Sequence, residues 1–295
     1  MLGAVRDPVA DAARLVPALA HKVTLHTWDM EDIEAMAGVL AAHRPHAVFN
    51  LAARSSGAGM FLDPAAQADV NGLAVLRLLE AIRLTDPAIR FCQASSSEMF
   101  GDAENSPQSE MTAFRPRSPY GAAKLFAHNM VGIYRRHHGL FACSAILFNH
   151  ESPRRGPGFV TQKIASGAAR IKQGMQSELR LGNLDARRDW GSAPDFTRAM
   201  RLMVESPHAD DYVIATGNTH SVRDFCKLAF AHINLDYREF VREDASAFRA
   251  AEAVPLVGDA SKATRVLGWK PEVSFETVVR QMVDAEVDKL RQMAT

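Results

Sequence analysis

Strand-length apolar runs alternate with helical patterns through the first two thirds of this 295-residue chain. Residues 46–53 and 89–95 are rich in strand-forming side chains, and between them apolar residues recur at helical spacing over 73–84. A long helix is predicted over 120–136, and the continuous apolar run 141–148 is typical of a strand buried on both faces. This βαβαβ order predicts an α/β protein with a doubly wound parallel sheet that is covered by helices.

The pattern changes on both sides of this series. Before it, 2–5 and 22–26 are predicted as short strands, and 32–42 as a helix that ends ahead of Pro45. After Glu151 a loop rich in Pro, Gly and Arg begins, so a second, smaller C-terminal lobe is expected from there. The predicted elements of this last part are a helix over 160–173, a strand over 211–216 and a final helix over 275–291.

The composition argues against several classes of partner. The chain carries 34 Lys and Arg residues against 34 Asp and Glu residues, so no overall field would hold it on nucleic acid or on an anionic membrane. Its three cysteines form no CxxC pair, which argues against a disulfide framework and a zinc site and favours a reducing cytoplasm. The apolar run 140–148 is far shorter than the roughly 20 residues that span a bilayer. We therefore expect a cytoplasmic protein with neither nucleic-acid nor membrane partners.

Tyr120 and Lys124 stand four residues apart, a spacing that puts both side chains on one face of the predicted helix. A lysine ammonium beside a phenol favours the phenolate, so Tyr120 would become a base near neutral pH although a free phenol has a pKa of about 10. Such a base suits proton removal from a sugar hydroxyl. The spacing alone is common, and a half-buried helix face explains it as well.

Polar residues follow the strand 89–95 directly, at the edge where open α/β sheets hold ligands. Among them, Ser96 offers a hydroxyl donor and Glu98 a carboxylate, and both could converge with the Tyr120/Lys124 pair at one cleft. A polar strand cap and a solvated surface acid are the simpler readings of each residue alone. Their joint occurrence favours a catalytic site.

The next strand ends at the same edge with the segment NHESPRRG, residues 149–156. Arg154 and Arg155 suit phosphate oxygens, because a guanidinium is permanently charged and bidentate. His150 could be a metal ligand, but no Cys/His/Asp cluster accompanies it, so no metal is expected. A second cluster, RRDW at 187–190, again offers cations beside an aromatic ring. A solvated loop and an ordinary turn are the alternatives.

These strings together resemble the GDP-mannose 4,6-dehydratase family, within the extended short-chain dehydrogenase/reductase superfamily and its Rossmann-like fold. The segments FNHESPRRG and LGNLDARRDWG are far more specific to the family than the Tyr/Lys pair is. The resemblance covers nearly the whole chain. The matching stretches are NLAA at Asn50, LRLLEAIR at Leu76, QASSSEMFG at Gln93, RPRSPYGAAK at Arg115, ILFNHESPRRG at Ile146, LRLGNLDARRDWG at Leu179 and GDASKATRVLGWKP at Gly258.

The resemblance implies conversion of GDP-mannose to GDP-4-keto-6-deoxymannose with bound NADP in an internal redox cycle. It implies that Tyr120 takes the proton of the C4 hydroxyl, with Lys124 beside it. Glu98 would remove the C5 proton and help to expel the C6 hydroxyl as water. Ser96 stands where the family usually has threonine.

The resemblance also implies binding residues, two domains and a homo-oligomer, dimer or tetramer. Residues 1–152 with about 184–206 would form a dinucleotide-binding domain, and the remainder of 153–295 a nucleotide-sugar domain. The implied NADP contacts are Arg6, Asp29, Met30, Leu51, Ala52, Ala53, Ser55, Tyr120, Lys124, His150 and Arg155. The implied GDP-sugar contacts are Ser96, Asn149, Lys163, Arg188, Arg249 and Glu252.

One departure from the family is large: no GxxGxxG segment occurs in the sequence, and 1–7 look like the family's second strand. The expected sheet therefore lacks the first strand and its glycine-rich turn, which binds a pyrophosphate. We expect unpaired backbone groups between the second and fourth strands and weak NADP binding. A start assigned too far downstream and a truncated remnant that is catalytically silent and serves as a scaffold subunit both stay open, as does a related reductase or epimerase.

Overall fold

The computed structural model describes residues 1–5, 22–55, 61, 63–247 and 254–293. Three expected binding residues, Arg6, Arg249 and Glu252, lie outside the described residues. The strands are β1 (Leu2–Val5), β2 (Thr24–Thr27), β3 (Ala47–Asn50), β4 (Arg90–Ala94), β5 (Ala142–Leu147), β6 (Asn149–Glu151), β7 (Leu179–Leu181), β8 (Arg187–Arg188), β9 (Trp190–Ser192), β10 (Tyr212–Ile214), β11 (His220–Ser221) and β12 (Val241–Glu243).

Five of the helices fall close to the predicted ones, and no helix within the described ranges is both long and apolar enough to cross a bilayer. A π-helical turn, Asp69–Leu73, joins α2 to α3. The helices are α1 (Ile33–His43), α2 (Pro64–Ala68), α3 (Ala74–Thr85), α4 (Pro119–His138), α5 (Val160–Lys172), α6 (Ala193–Glu205), α7 (Val222–His232), α8 (Tyr237–Phe240), α9 (Ser261–Leu267) and α10 (Phe275–Met293).

Four strands form a parallel sheet in the order β10-β5-β4-β3. Successive side chains of a strand point to opposite faces. Phe91 accordingly joins an apolar cluster with α1, α3 and α4, whereas its neighbour Cys92 joins a different cluster with α6. The sheet therefore carries helices on both faces, which confirms the predicted doubly wound α/β class.

The two predicted N-terminal strands form a separate parallel pair, in which Leu2 lies opposite Thr24. Their burial alternates between exposed and half-buried positions. Trp28 and Met30, just after β2, pack against the cluster that contains α1. Among the described residues no ladder joins β1 to β3, the two strands between which the family's first strand is expected.

The C-terminal lobe is centred on α5, α7 and α10. Buried residues of all three helices, such as Ile164, Phe225 and Val279, form one apolar cluster. Trp190 of β9 stacks on Phe275 at the start of α10, with ring centroids 5.9 Å apart. The aromatic residue of the RRDW segment is thus part of this lobe's core.

The strand expected at 211–216 in the second lobe lies elsewhere. Tyr212, Val213 and Ile214 form β10, which pairs with β5 at the edge of the main sheet. All three side chains are buried, mainly in the cluster shared with α6. Packing against the sheet therefore decides the position of this strand, and sequence distance from the first lobe does not.

Candidate active site

Tyr120 and Lys124 lie one turn apart at the start of α4. Ser118 caps this helix, because its hydroxyl accepts a hydrogen bond of 3.0 Å from the Gly121 amide, and Pro119 occupies the first turn, where its missing N–H is tolerated. Tyr120 is 8% exposed and Lys124 only 2%. The Lys124 Nζ donates to the Ala94 carbonyl at 3.0 Å and lies 5.7 Å from the centre of the Tyr120 ring. The predicted shared face is present.

Ser96 and Glu98 reach the same place from the end of β4. Ser96 begins the short 3-10 turn Ser97–Met99, and its hydroxyl accepts from the Glu98 amide at 3.2 Å. The Ser96 side chain is also hydrogen-bonded to the Tyr120 phenol. At Gly121 a Cβ atom would lie 2.5 Å from the Glu98 carbonyl oxygen, so glycine permits the close approach of the two segments. The four predicted catalytic residues are therefore brought together.

The electrostatics of the pair differ from the sequence-based expectation. The pKa of Tyr120 is raised to about 12, mainly by burial and in part by the nearby charge of Glu98, although the Ser96 side chain and the Arg155 charge lower it. Burial also lowers the pKa of Lys124 to about 8. Desolvation thus outweighs the effect of the ammonium, and the cation that favours the Tyr120 phenolate is Arg155.

A buried hydrogen-bond network connects Lys124 to the end of β3. The Ala94 carbonyl that binds Lys124 also accepts from the Gln93 side chain at 2.8 Å. Gln93 in turn accepts from the Asn50 amide at 2.8 Å. Neither Gln93 nor Asn50 was among the predicted site residues, although both lie in segments that resemble the family.

The loop after β3 contains four expected cofactor contacts, and all of them are exposed: Leu51, Ala52, Ala53 and Ser55. The loop is fixed at two points. Asn50 accepts a hydrogen bond from the Ala52 amide at 3.2 Å, and the fully buried Asn71 bonds both the amide and the carbonyl of Arg54, at 3.1 and 3.3 Å. A ligand can therefore reach the loop backbone without displacing core residues.

The segment NHESPRRG leaves the sheet beside this cluster. The His150 ring contacts the Phe148 carbonyl at 2.9 Å through Nδ1, and burial lowers its pKa, so the neutral imidazole is favoured. Arg155 adds to that effect and also acts on Tyr120. Arg155 thus lies near the start of α4, and His150 lies near Arg155. Glu151, between them, was not predicted and is almost fully buried.

The remaining predicted site residues contact neighbours in the sequence or partners in a strand ladder. Asp29 accepts from the Glu31 amide at 2.9 Å, and Met30 Sδ accepts from Trp28 at 2.9 Å, both just after β2. Asn149 pairs with Trp190 in the β6–β9 ladder, and Arg188 pairs with His220 in the β8–β11 ladder. The contacts that the structure describes do not link these four residues to Tyr120.

Lys163 lines a cavity of about 510 Å³ between the NHESPRRG loop, α5 and α10. Arg155 lines the same cavity, so one predicted sugar-nucleotide contact and one predicted cofactor contact share a space. Other cations on its wall are Arg154, Arg170 and Lys289. The cavity offers positive charge to an anionic ligand.

Within the described residues, no group of three or more His, Cys, Asp or Glu side chains is placed to hold a metal ion. The three cysteines are free and buried. The cationic groups near Tyr120, namely Lys124 and Arg155, instead fit an anionic organic ligand such as a dinucleotide.

Solved structures with the same fold define the class of protein. The chain superposes with a TM-score of 0.83 on RMD from Pseudomonas aeruginosa complexed with NADPH, at 26% identity over 90% of this chain and 91% of that one. A putative epimerase from Burkholderia cenocepacia gives a TM-score of 0.84 at 25% identity, over 97% and 89%. The fold thus defines the class of protein, a Rossmann-fold protein of the short-chain dehydrogenase/reductase type.

Sequence comparison narrows the class further. The family model for GDP-mannose 4,6 dehydratase matches residues 9–282. GDP-mannose 4,6 dehydratase 2 of Arabidopsis thaliana is 48% identical over 268 residues, which cover 90% of this chain and 72% of the relative. The enzyme from Cricetulus griseus is 42% identical over 286 residues, covering 90% and 77%. The chain belongs to the GDP-mannose 4,6-dehydratase family.

Proposed function

We propose that this chain is a lyase of deoxysugar biosynthesis that converts GDP-mannose to GDP-4-keto-6-deoxymannose. The observation that carries the proposal is the convergence of Ser96, Glu98, Tyr120 and Lys124 at the ends of β4 and at the start of α4. A hydroxyl, a carboxylate, a phenol and an ammonium are then available around one hexose. Family membership supplies the substrate, since its curated relatives are named for GDP-mannose.

Tyr120 accepts the proton of the C4 hydroxyl in this proposal. The Ser96 hydrogen bond and the Arg155 charge both favour the phenolate, which offsets part of the effect of burial. Ser96 also orients the substrate oxygen, because its hydroxyl lies beside the phenol. Lys124, anchored on the Ala94 carbonyl, holds a positive charge under the Tyr120 ring.

Glu98 acts after Tyr120 in the proposed reaction. A carbonyl at C4 acidifies the hydrogen at C5, so a carboxylate can remove that proton. The same acid can then protonate the C6 hydroxyl as it leaves as water, and C5 takes up a proton from solvent when a hydride is added at C6. The Glu98 side chain is half-buried, and its backbone packs against Gly121, so it is held on the side of Tyr120.

The cofactor in this proposal is NADP. It would supply the redox chemistry of the reaction, as an acceptor for the hydride of C4 and, once reduced, as the donor of a hydride to C6. Lys124, His150 and Arg155 would hold it on the side of Tyr120, and the exposed backbone at 51–55 would meet its phosphates. Asp29 and Met30 would lie toward its adenine end, and Arg6 is carried over as a cofactor contact from the family resemblance only. We expect NADP to bind weakly, because the sequence has no GxxGxxG segment. The proposed catalytic roles do not depend on tight binding.

The sugar nucleotide would bind to the C-terminal lobe. Lys163 lines the cationic cavity. Ser96, Asn149 and Arg188 would add further contacts to the sugar nucleotide, as the family resemblance implies. Arg249 and Glu252 are carried over from the family only. We extend this to two domains, residues 1–152 with about 184–206 for the dinucleotide and the remainder of 153–295 for the sugar nucleotide, with β10 reassigned to the first.

We also propose a cytoplasmic homo-oligomer, dimer or tetramer. Large apolar side chains remain exposed on the outer surface of α4, at Phe126 and Ile133, and at both ends of the α3 region, at Leu73 and Leu84. An apolar helix surface of this kind suits a second copy of the chain. Neither nucleic acid nor a membrane is expected as a partner, since the chain has no net charge.

The test is incubation of the full chain with GDP-mannose and excess NADP, followed by mass spectrometry and NMR of the sugar nucleotide. The expected product has lost one water and carries a ketone at C4. Glu98→Gln should abolish water release without changing the fold, whereas Glu104→Gln, at an exposed glutamate paired with Arg115, should not. Water release that persists in Glu98→Gln would overturn the role of Glu98. An epimer of unchanged mass would indicate an epimerase.

A further inference from the structure

Glu151 is a carboxylate enclosed by protein. It ends β6, its backbone is held opposite Ser192 of β9, and its side chain is only 1% exposed. Its pKa is raised to about 7, because burial outweighs the Arg155 charge and the hydrogen bond from Thr161, which both lower it. A buried carboxylate of this kind is stable in a fold only where specific partners compensate for its lost hydration.

Its partners converge on a single oxygen. The Thr161 hydroxyl, in the first turn of α5, donates to Glu151 Oε2 at 2.7 Å. Arg155 Nε lies 3.1 Å from the same oxygen in an ion pair, although this buried N–H is not aligned for a hydrogen bond. The Arg155 guanidinium also lies over the Phe159 ring at 3.4 Å, a cation–π distance. Carboxylate, hydroxyl and ring together restrict a side chain that otherwise has many rotamers.

The restrained guanidinium acts on the catalytic base. Arg155 favours the Tyr120 phenolate, and it also disfavours protonation of His150. Both effects depend on distance, because a Coulomb interaction falls as the charges separate. Arg155 is the smallest of the four influences on the Tyr120 pKa, after burial, Ser96 and Glu98, so its position adjusts how readily Tyr120 takes up a proton.

We propose that Glu151, together with Thr161, is a positioning residue that holds the Arg155 guanidinium beside Tyr120 for the dehydratase reaction proposed above. Neither residue touches the reacting atoms. Thr161→Val removes the hydroxyl at nearly constant volume, and Thr161→Ser restores it. Thr197→Val is the matched control, since Thr197 lies in the first turn of α6 and donates to the Pro194 carbonyl.

The first readout is independent of turnover. In 15N-labelled full chain, the Arg155 Nε–H signal, assigned by its loss in Arg155→Lys, should exchange slowly with solvent. Thr161→Val and Glu151→Ala should speed that exchange by about tenfold or more, while Thr161→Ser and Thr197→Val leave it near the wild-type rate. Equal exchange in all variants would overturn the proposal, whatever their activity.

The second readout is the pH dependence of kcat. Losing the Arg155 position should raise the pKa of Tyr120, so the acid limb of the profile should move up by about half a pH unit in Thr161→Val and about one unit in Glu151→Ala. Thr161→Ser should restore it. A fall in kcat without any shift of the limb would contradict a positioning role. If wild type does not turn over GDP-mannose, the proposed function fails, and the exchange rates still decide whether Glu151 holds Arg155.

Discussion

The four-stranded sheet and the β1–β2 pair are both parallel, but they are built differently. Phe91, Cys92 and Gln93 of β4 are buried, and helices cover both faces of that sheet. The β1 and β2 strands have only exposed and half-buried residues. Ser96, Glu98, Tyr120 and Lys124 all belong to the enclosed half of the site. Its exposed half consists of Asp29, just after β2, and the exposed loop at 51–55, just after β3. The proposed chemistry therefore depends on the better packed region, and part of the cofactor affinity depends on the other.

The largest effect is expected from the catalytic base. Tyr120→Phe should lower kcat by about 10³-fold, because it removes the proton acceptor while leaving the ring in place. Asp29→Asn, in the exposed half, should instead raise the KM for NADP by less than about tenfold and leave kcat nearly unchanged. Steady-state kinetics with both substrates varied would measure the two effects. A kcat of Tyr120→Phe within about threefold of wild type would contradict the separation of the two regions.

The next largest effect is expected on the free energy of unfolding, which should depend on core packing in one region and not in the other. Phe91→Ala, at a side chain 1% exposed, should lower the free energy of unfolding by about 3–5 kcal/mol. Leu2→Ala, at a side chain 40% exposed, should lower it by less than about 0.5 kcal/mol. Urea denaturation followed by circular dichroism measures both. Equal losses would show that β1 and β2 unfold together with the main sheet and support it as strongly.

Glu151→Gln should make the protein more stable while impairing its activity. The folded pKa of about 7 lies above the 4.5 of a free glutamate, so the contribution of Glu151 to stability is greatest below about pH 4.5 and is lost as pH rises to about 7. The amide has no such loss. The variant should therefore gain about 2 kcal/mol over wild type at about pH 8 and little near pH 4.

The exposed Asp29 provides the control for this measurement. Asp29→Asn should change the free energy of unfolding by less than about 0.5 kcal/mol at either pH. Denaturation curves at both pH values are sufficient. A Glu151→Gln variant that is less stable than wild type at high pH would mean that the ion pair with Arg155 outweighs desolvation.

The smallest effect is expected at the loop of the exposed half. Asn71→Ala removes the two hydrogen bonds to the Arg54 backbone and should cost about 1–2 kcal/mol of local stability. Amide exchange at 51–55 should become faster, and NADP should bind several-fold more weakly in a fluorescence titration. Asn183→Ala, which loses an exposed bond to the Asp185 amide, should leave both unchanged. Unaltered exchange in Asn71→Ala would mean that Asn50 alone fixes the loop.

Much of the sheet could be predicted from the sequence, because its strands and helices have strong apolar periodicity. The strand β5 and the helix α4 fall within two residues of their predicted limits. The helices α6 and α7 were not predicted, and β10 was expected in the wrong lobe. Their positions depend on tertiary packing, such as that of Tyr212–Ile214 in the main core, which local pattern does not encode.

The candidate site could be predicted by residue type but not by electrostatics. Strand ends and motif spacing predict that Ser96, Glu98, Tyr120 and Lys124 meet, and they do. The expected effect of Lys124 on Tyr120 was wrong in magnitude, because desolvation depends on how many atoms surround a group. Glu151 was missed for the same reason, since nothing in the string NHESPRRG indicates which of its charges is enclosed.

The Ala94 carbonyl gives the site one property that no side chain could provide. Lys124 is anchored on a main-chain oxygen, which every amino acid at position 94 would supply. A substitution at position 94 can alter the size and shape of the side chain, but it cannot remove the main-chain carbonyl that accepts from Lys124. The hydrogen bond that anchors Lys124 therefore tolerates substitutions at position 94, and only a change that bends the end of β4 itself would break it.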